Sequence, residues 1–218
     1  MATLTVFGDA SDGGISSQST VYADAREGTG TAVLVADSTD VDLLNGVSGM
    51  NGIGQTDNSN VNECTEGFVA FDTSPLGGGA SISAAVLSLW DSGSAPSTAF
   101  TVEVRSRAWG PTLTTGDFVA GSALSGLTLL AHLASASRAA GAYNAFVDDA
   151  MAIGVNQTGF TRMLLNGSLH RLGTEPALDT SDALQYSAAD EVGTTQDPKL
   201  VITYTAATGP RPARGSSG

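Results

Sequence analysis

Few side chains in this sequence are equipped for chemistry. The candidates are His132 and His170, the lone Cys64, the adjacent Asp148 and Asp149, and the oxygen donors between Asp57 and Glu63. A serine hydrolase needs its nucleophile on a sharp turn beside a histidine, and the chain contains no Gly-x-Ser-x-Gly. His132 sits between Ala131 and Leu133 in an apolar stretch, and His170 follows Asn166-Gly167-Ser168-Leu169. Neither has a motif partner, so both read as structural or surface residues. Asp148 and Asp149 are neighbours, and on a helix their side chains diverge by about 100°. They read as a helix start, where backbone N–H groups lack partners, rather than as a glycosidase pair.

Calcium is the one metal the donor set leaves open. Asp57, Asn58, Asn60, Asn62 and Glu63 offer hard oxygen ligands in a short span, and Asp9 with Asp12 forms a second group. Neither spacing is that of an EF-hand loop, so both read as solvated loops and no residue is assigned as a metal ligand. No other cofactor is expected. A sugar site would require an aromatic ring to stack on a pyranose, and aromatics make up only 6% of the chain. Trp109, at the start of a loop, is the best stacking candidate, set against a packing role. Trp90, Tyr186 and Tyr204 lie at or within strands and read as packing residues.

The elements that would position these residues are strands. Hydrophobic residues form 41% of the chain, charged residues 14%, and there are 27 glycines, which suits many turns and one large all-β domain. The net charge of −13 repels phosphate backbones, so nucleic acid is an improbable partner. One cysteine excludes an intrachain disulfide and a cysteine-based zinc cluster. The opening residues 1–7 read as a strand rather than a signal peptide, and no stretch approaches the roughly 18 apolar residues of a membrane span.

Residues 67–90 are the centre of the pattern. Gly67 to Thr73 and Ser81 to Trp90 alternate with apolar residues on both faces, which predicts a pair of central strands, packed above and below, in the middle of a β-sandwich and joined through Pro75 and three glycines. Phe71, Val86, Leu87 and Leu89 are the predicted core. Residues 19–25 and 31–36 read as a hairpin, and 37–62 as one long polar loop. Phe100 to Arg107 predicts a half-buried strand, with Phe100, Val102 and Val104 inward and Glu103, Arg105 and Arg107 in water. Further strands are predicted at 127–133, 142–147, 160–165, 183–187 and 200–204, with one short helix beginning at Asp148. Residues 1–205 thus form a single domain, and 206–218 a flexible tail carrying Arg211 and Arg214.

The stretch GFVAFDTSPLGGGASISAAVLSLW resembles the core of DNRLRE-type jelly-roll domains, relatives of the family-96 carbohydrate-binding modules. The similarity continues through Trp109-Gly110-Pro111, TLTTGDFVAG, YNAFVDDAMAI, TGFTRMLL and DEVGTTQDPKLVITY, covering most of residues 18 to 205. It implies an all-β jelly-roll sandwich with one short helix and long glycine-rich loops. It further implies a non-enzymatic structural protein of a tailed-phage virion, as a head decoration or minor tail protein, binding capsid or tail proteins as a homo-oligomer. Arg211 and Arg214 are the candidate attachment residues. The alternative is a stand-alone carbohydrate-binding module that recognises a cell-surface glycan. One jelly roll hosts many functions, so the fold implied is more specific than the role.

Overall fold

The structure is a computed structural model that describes residues 1–30, 32–37, 50–93, 95–189 and 195–207. In chain order its elements are β1 (Ala2–Phe7), β2 (Gly13–Ser19), α1 (Tyr22–Glu27), β3 (Ala32–Asp37), β4 (Met50–Asn58), β5 (Val61–Asp72), β6 (Ser81–Trp90), β7 (Thr101–Ser106), β8 (Leu129–Ala134), β9 (Tyr143–Val147), β10 (Phe160–Gly167), α2 (Ser168–Leu172), β11 (Ser181–Ser187) and β12 (Lys199–Thr205). One sheet runs β1-β12-β6-β9 and the other β11-β4-β5-β10-β7-β8, with β2 bridging β3 and β5. The pairings within both sheets are antiparallel. The fold is an all-β sandwich.

Between the sheets lies the main core, with Val69 and Phe71 from β5, Leu87 and Leu89 from β6, Phe146 from β9, Met163 and Leu165 from β10, and Leu200 and Ile202 from β12. The opposite face of β5 is covered too. Phe68 and Ala70 join Ile15, Trp109, Leu113, Val119, Leu124 and Leu164 in a second cluster, built where the 109–127 excursion folds over the larger sheet. The two-faced alternation of β5 in sequence is therefore real, and each face serves a different core.

For β6 the expectation is corrected. β5 and β6 are not paired strands of one sheet, because the 73–80 connection, with its 3₁₀ turn at Ser74–Leu76, carries the chain from one sheet to the other. Thr73 locks the start of that crossing through its Oγ1, which donates to the Gly159 carbonyl at 2.8 Å. On β6, Ala85, Leu87 and Leu89 are buried in the core, whereas Val86 is half-buried on the outer side.

Three further expectations change. The segment 19–25 is not a strand, since α1 occupies Tyr22–Glu27 and ends on Gly28 in the left-handed conformation, with φ 70°. Residues Tyr22-Ala-Asp-Ala-Arg-Glu lack the β-branched run a strand favours. There are two short α-helices rather than one, and the turn predicted at Asp148 is 3₁₀. The long loop 37–62 contains all of β4 and the start of β5, so at most 38–49 of it lies outside the described residues. β4 hides from a hydrophobicity reading because its interior is polar and glycine-rich. At Gly54, φ is +136° and a Cβ would lie 2.3 Å from the Asp182 carbonyl oxygen, so only glycine allows β11 to pair this closely.

Candidate functional site

The outer side of the larger sheet gathers most of the buried charge. Glu103 and Arg105 were expected in water, yet both are buried, because α2 and the Leu127 segment cover that face of β7. Arg105 donates to Glu103 at 2.7 Å, to the Asn166 side chain at 3.0 Å and to the Leu127 carbonyl at 2.9 Å. Arg171 of α2 grips the same carboxylate through Nε at 2.9 and 3.0 Å and Nη2 at 2.7 Å. Burial works to raise the Glu103 pKa, but donation from Arg171, Arg105 and Asn166 outweighs it and holds the carboxyl at about 2. Fully satisfied in this way, the group ties α2 to the sheet. Its role is structural.

A second buried pair lies beneath α1. Glu66 on β5 and His170 on α2 are both fully buried. His170 Nε2 is 3.0 Å from the Arg26 carbonyl, which can only accept, so Nε2 carries the proton and Nδ1 a lone pair. Nδ1 lies 3.8 Å from Glu66 Oε1. The other Glu66 oxygen accepts from the Val119 N–H at 2.9 Å. Burial pushes the Glu66 carboxyl well up and the His170 imidazole down to about 4. Burial thus disfavours the charged form of both groups. Cys64, two residues along β5 from Glu66, is buried with Tyr22 and Ala25, and burial raises its thiol pKa far above the ordinary value. A thiol held in that state is a poor nucleophile.

Beyond the end of β7 a cavity of about 230 Å³ opens, lined by Ser106, Arg107, Asn156, Phe160, Thr161 and Arg162 among others. The β7–β10 ladder ends at the Ser106–Met163 pair, and Arg107 and Arg162, the residues next to that pair, both line the cavity. Arg26, Arg105, Arg138 and Arg171 each pair with a carboxylate. Arg107 and Arg162 have no such partner among the described residues, and the Nε of each is buried without an acceptor. The Arg162 guanidinium lies 5.1 Å from the Phe160 ring centroid and 5.6 Å from that of Trp109.

That geometry corrects the stacking role of Trp109. The side chain is 7% exposed, with the edge of Phe68 against it at 5.3 Å and Arg162 over its ring. No ring face is open to a sugar. Trp109 instead packs the outer core and holds an arginine in place.

The remaining sequence candidates are scattered. His132 is exposed on β8, far in register from His170. Asp148 caps the 3₁₀ turn by accepting from the Ala150 N–H at 3.0 Å, in keeping with its reading as a helix start. Asp57 accepts from the Asp179 N–H at 3.2 Å, and Asp12 from the Ala189 N–H at 2.9 Å, so both carboxylates lock loops. No cluster of three or more His, Cys, Asp or Glu suited to a metal occurs among the described residues. Arg211 and Arg214 lie outside the described residues.

Among the described residues the smaller sheet has a partly exposed outer face that sequence reading missed. Its pairing aligns Thr5, Val201, Val86 and Val147 in one row, and Phe7, Lys199, Ser88 and Ala145 in the next. Trp90 and Tyr143 meet edge to face at 5.4 Å, with Lys199 Nζ 4.0 Å from the Tyr143 ring. The chain has 22 acidic residues, yet none falls in β1, β6, β9 or β12. Val147 is 67% exposed and Ile153, beside the β9 edge, 79%. Register alone brings these apolar residues together, and register is not written in local sequence. No family model matches the chain, and no curated protein matches it.

Proposed function

We propose that the chain is a non-enzymatic accessory protein of a tailed-phage particle, a head decoration or minor tail protein, docked on another particle protein through the outer face of its smaller sheet. The single observation that carries this reading is the absence of carboxylates from β1, β6, β9 and β12 in a chain of net charge −13. Elsewhere the domain's own charge opposes approach by an acidic partner. On this face the valine row and the Trp90–Tyr143 corner offer apolar contact without like-charge repulsion. The resemblance supplies the kind of assembly, and the face supplies the mode of attachment.

The test is occupancy on purified particles. Particles from a lysate producing the chain should retain it through a density gradient. Val147→Glu and Val201→Glu, which add charge to the outer face, should strip it off while the free protein keeps its melting temperature. Failure to co-purify sinks the particle assignment. Retention of both variants sinks the docking face.

A second reading, a carbohydrate-binding module, is favoured by a different observation. It no longer has Trp109 as a platform, but the cavity beyond the end of β7 has Ser106, Arg107, Asn156 and Arg162 in its lining.

A further inference from the structure

We infer that β9 is the contact strand of a twofold homodimer, in which it pairs antiparallel with β9 of a second copy. The pairing would join the two smaller sheets into one and leave their outer faces open. The inference therefore stands whether or not that face docks.

Its first support is an unpaired edge. β9 pairs with β6 on one side and ends its sheet on the other. The Asp91 N–H donates to the Ala142 carbonyl at 3.0 Å, so alternate residues from Ala142 onward turn their backbone groups toward β6. Those of Tyr143, Ala145 and Val147 therefore point to the open edge. Such edges are normally blunted by lysine, proline or a bulge. Tyr143-Asn-Ala-Phe-Val has no lysine or proline, and its ladder with β6 has no register shift. By contrast β8, an edge of the larger sheet, has an irregularity opposite Val104 and Arg105 and the exposed His132.

The second support is self-complementarity. Full overlap of two antiparallel copies of Tyr143–Val147 places Ala145 on the twofold axis and Val147 opposite Tyr143 of the second copy. In that register the buried Asn144 and Phe146 stay on the core side, so neither core is disturbed. Val147, at 67% the most exposed large apolar side chain in any described strand, gains an aromatic neighbour, a favourable cross-strand pair. Tyr143 is already fixed, since its hydroxyl donates to the Asp197 carbonyl at 2.9 Å and Trp90 meets its ring edge to face. Little side-chain freedom remains to be lost on pairing.

Charge selects the same edge. Two copies of net charge −13 repel wherever their surfaces carry carboxylates, and neither β9 nor β6 behind it carries any. Asp148, the first acidic residue past β9, falls opposite Ala142 of the second copy, so the two Asp148 carboxylates stand at opposite ends of the strand pair. β1, the other edge of this sheet, is also free of carboxylates, but it exposes Thr3 and Thr5, whose hydroxyls water satisfies.

Sedimentation of the isolated full chain tests this without any particle. A pair of five-residue strands buries less than the roughly 1,200 Å² of a standard interface, so a monomer–dimer equilibrium near about 100 μM is expected. Added salt should strengthen it by screening the net repulsion. Ala145→Cys should cross-link into a disulfide dimer, because residues on the axis have Cα atoms about 5.5 Å apart, within disulfide reach. Val147→Cys and Thr5→Cys should cross-link far more slowly, and the native Cys64 is buried. Val147→Lys should weaken association at least tenfold with an unchanged melting temperature in dilute solution. Where that variant melts lower, Ala145→Lys supplies the same reading at the same edge. Val201→Glu, which lies on the outer face away from the edge, should associate as the parent does. The inference is overturned if the chain stays monomeric up to about 1 mM at low and high salt. Equal cross-linking by the three cysteine variants, or association undiminished by lysine at the edge, overturns it as well. A loss with Val201→Glu as large as with Val147→Lys would mean that copies stack face to face, and also overturns the edge pairing.

Discussion

Glu66 Oε1 lies 3.8 Å from His170 Nδ1, and neither atom has a hydrogen-bond partner among the described residues. Burial disfavours both charged forms, so it pushes the Glu66 carboxyl pKa up and the His170 imidazole pKa down.

Stability should depend on pH through this pair in a defined direction. The folded pKa of Glu66 is raised above its ordinary 4.5, so the folded state holds a proton that the unfolded state releases. Its contribution is complete below 4.5 and declines as pH rises from there. Glu66→Gln cannot ionise, and its amide can donate to Nδ1 in the same place. The variant should gain stability relative to the parent as pH rises from 5 to 8. Urea titrations across that range check this, and a variant that loses stability relative to the parent as pH rises would contradict it.

Glu103 should behave in the opposite sense. Its folded pKa of about 2 is below the ordinary 4.5, so its stabilisation is complete above 4.5 and lost as pH falls toward 2. Glu103→Gln leaves Arg105 and Arg171 without their shared carboxylate. At neutral pH it should cost about 3–5 kcal/mol, the usual penalty for breaking one side of a buried ion pair. Denaturant unfolding at pH 7 and pH 3 should show the difference between parent and variant shrinking at the lower pH.

Two adjacent residues of β6 should respond unequally. Leu87 is fully buried between its cross-strand partners Phe146 and Leu200, and Leu87→Ala should cost about 2–5 kcal/mol. Val86 faces outward, and Val86→Ala should cost well under half as much. Equal losses would mean that the outer face of the smaller sheet is covered in the isolated protein.

Gly54 and Gly93 offer a matched comparison. Both have positive φ, +136° and +102°, but a Cβ at Gly54 meets the Asp182 carbonyl at 2.3 Å while one at Gly93 meets nothing within 4 Å. Gly93→Ala should cost about 1–3 kcal/mol of backbone strain. Gly54→Ala should exceed that and loosen β11 from β4, seen as faster amide exchange from 181 to 187.

Much of the sandwich was legible in the sequence because period-2 apolar runs name their own strands. The expected segments 100–107, 127–133, 142–147, 160–165, 183–187 and 200–204 each hold a strand, and the helix-start reading of Asp148 matches its cap. What stayed hidden depends on distant covering. β4 is polar, and its burial comes from β5 and β11. Glu103 and Arg105 have the spacing of a solvated face, and only α2, far along the chain, encloses them. The placement of β5 and β6 in opposite sheets hinges on where a proline-containing turn points, which alternation does not encode. Trp109 was named as a stacking candidate, and the Arg162 that lies over its ring comes from β10, far along the chain, and gives no local sign.

Cys64 is the chain's only thiol, and it is sealed beneath α1 with its ionisation suppressed. A thiol reagent can reach it only when this region opens, so the labelling rate is a direct clock for that opening. With no second cysteine in the chain, no intrachain disulfide competes with the label. A ligand or partner that clamps α1 or α2 should slow it by the factor by which that ligand favours the closed state. The molecule thus contains a single-site reporter of its own breathing, with no engineered label needed.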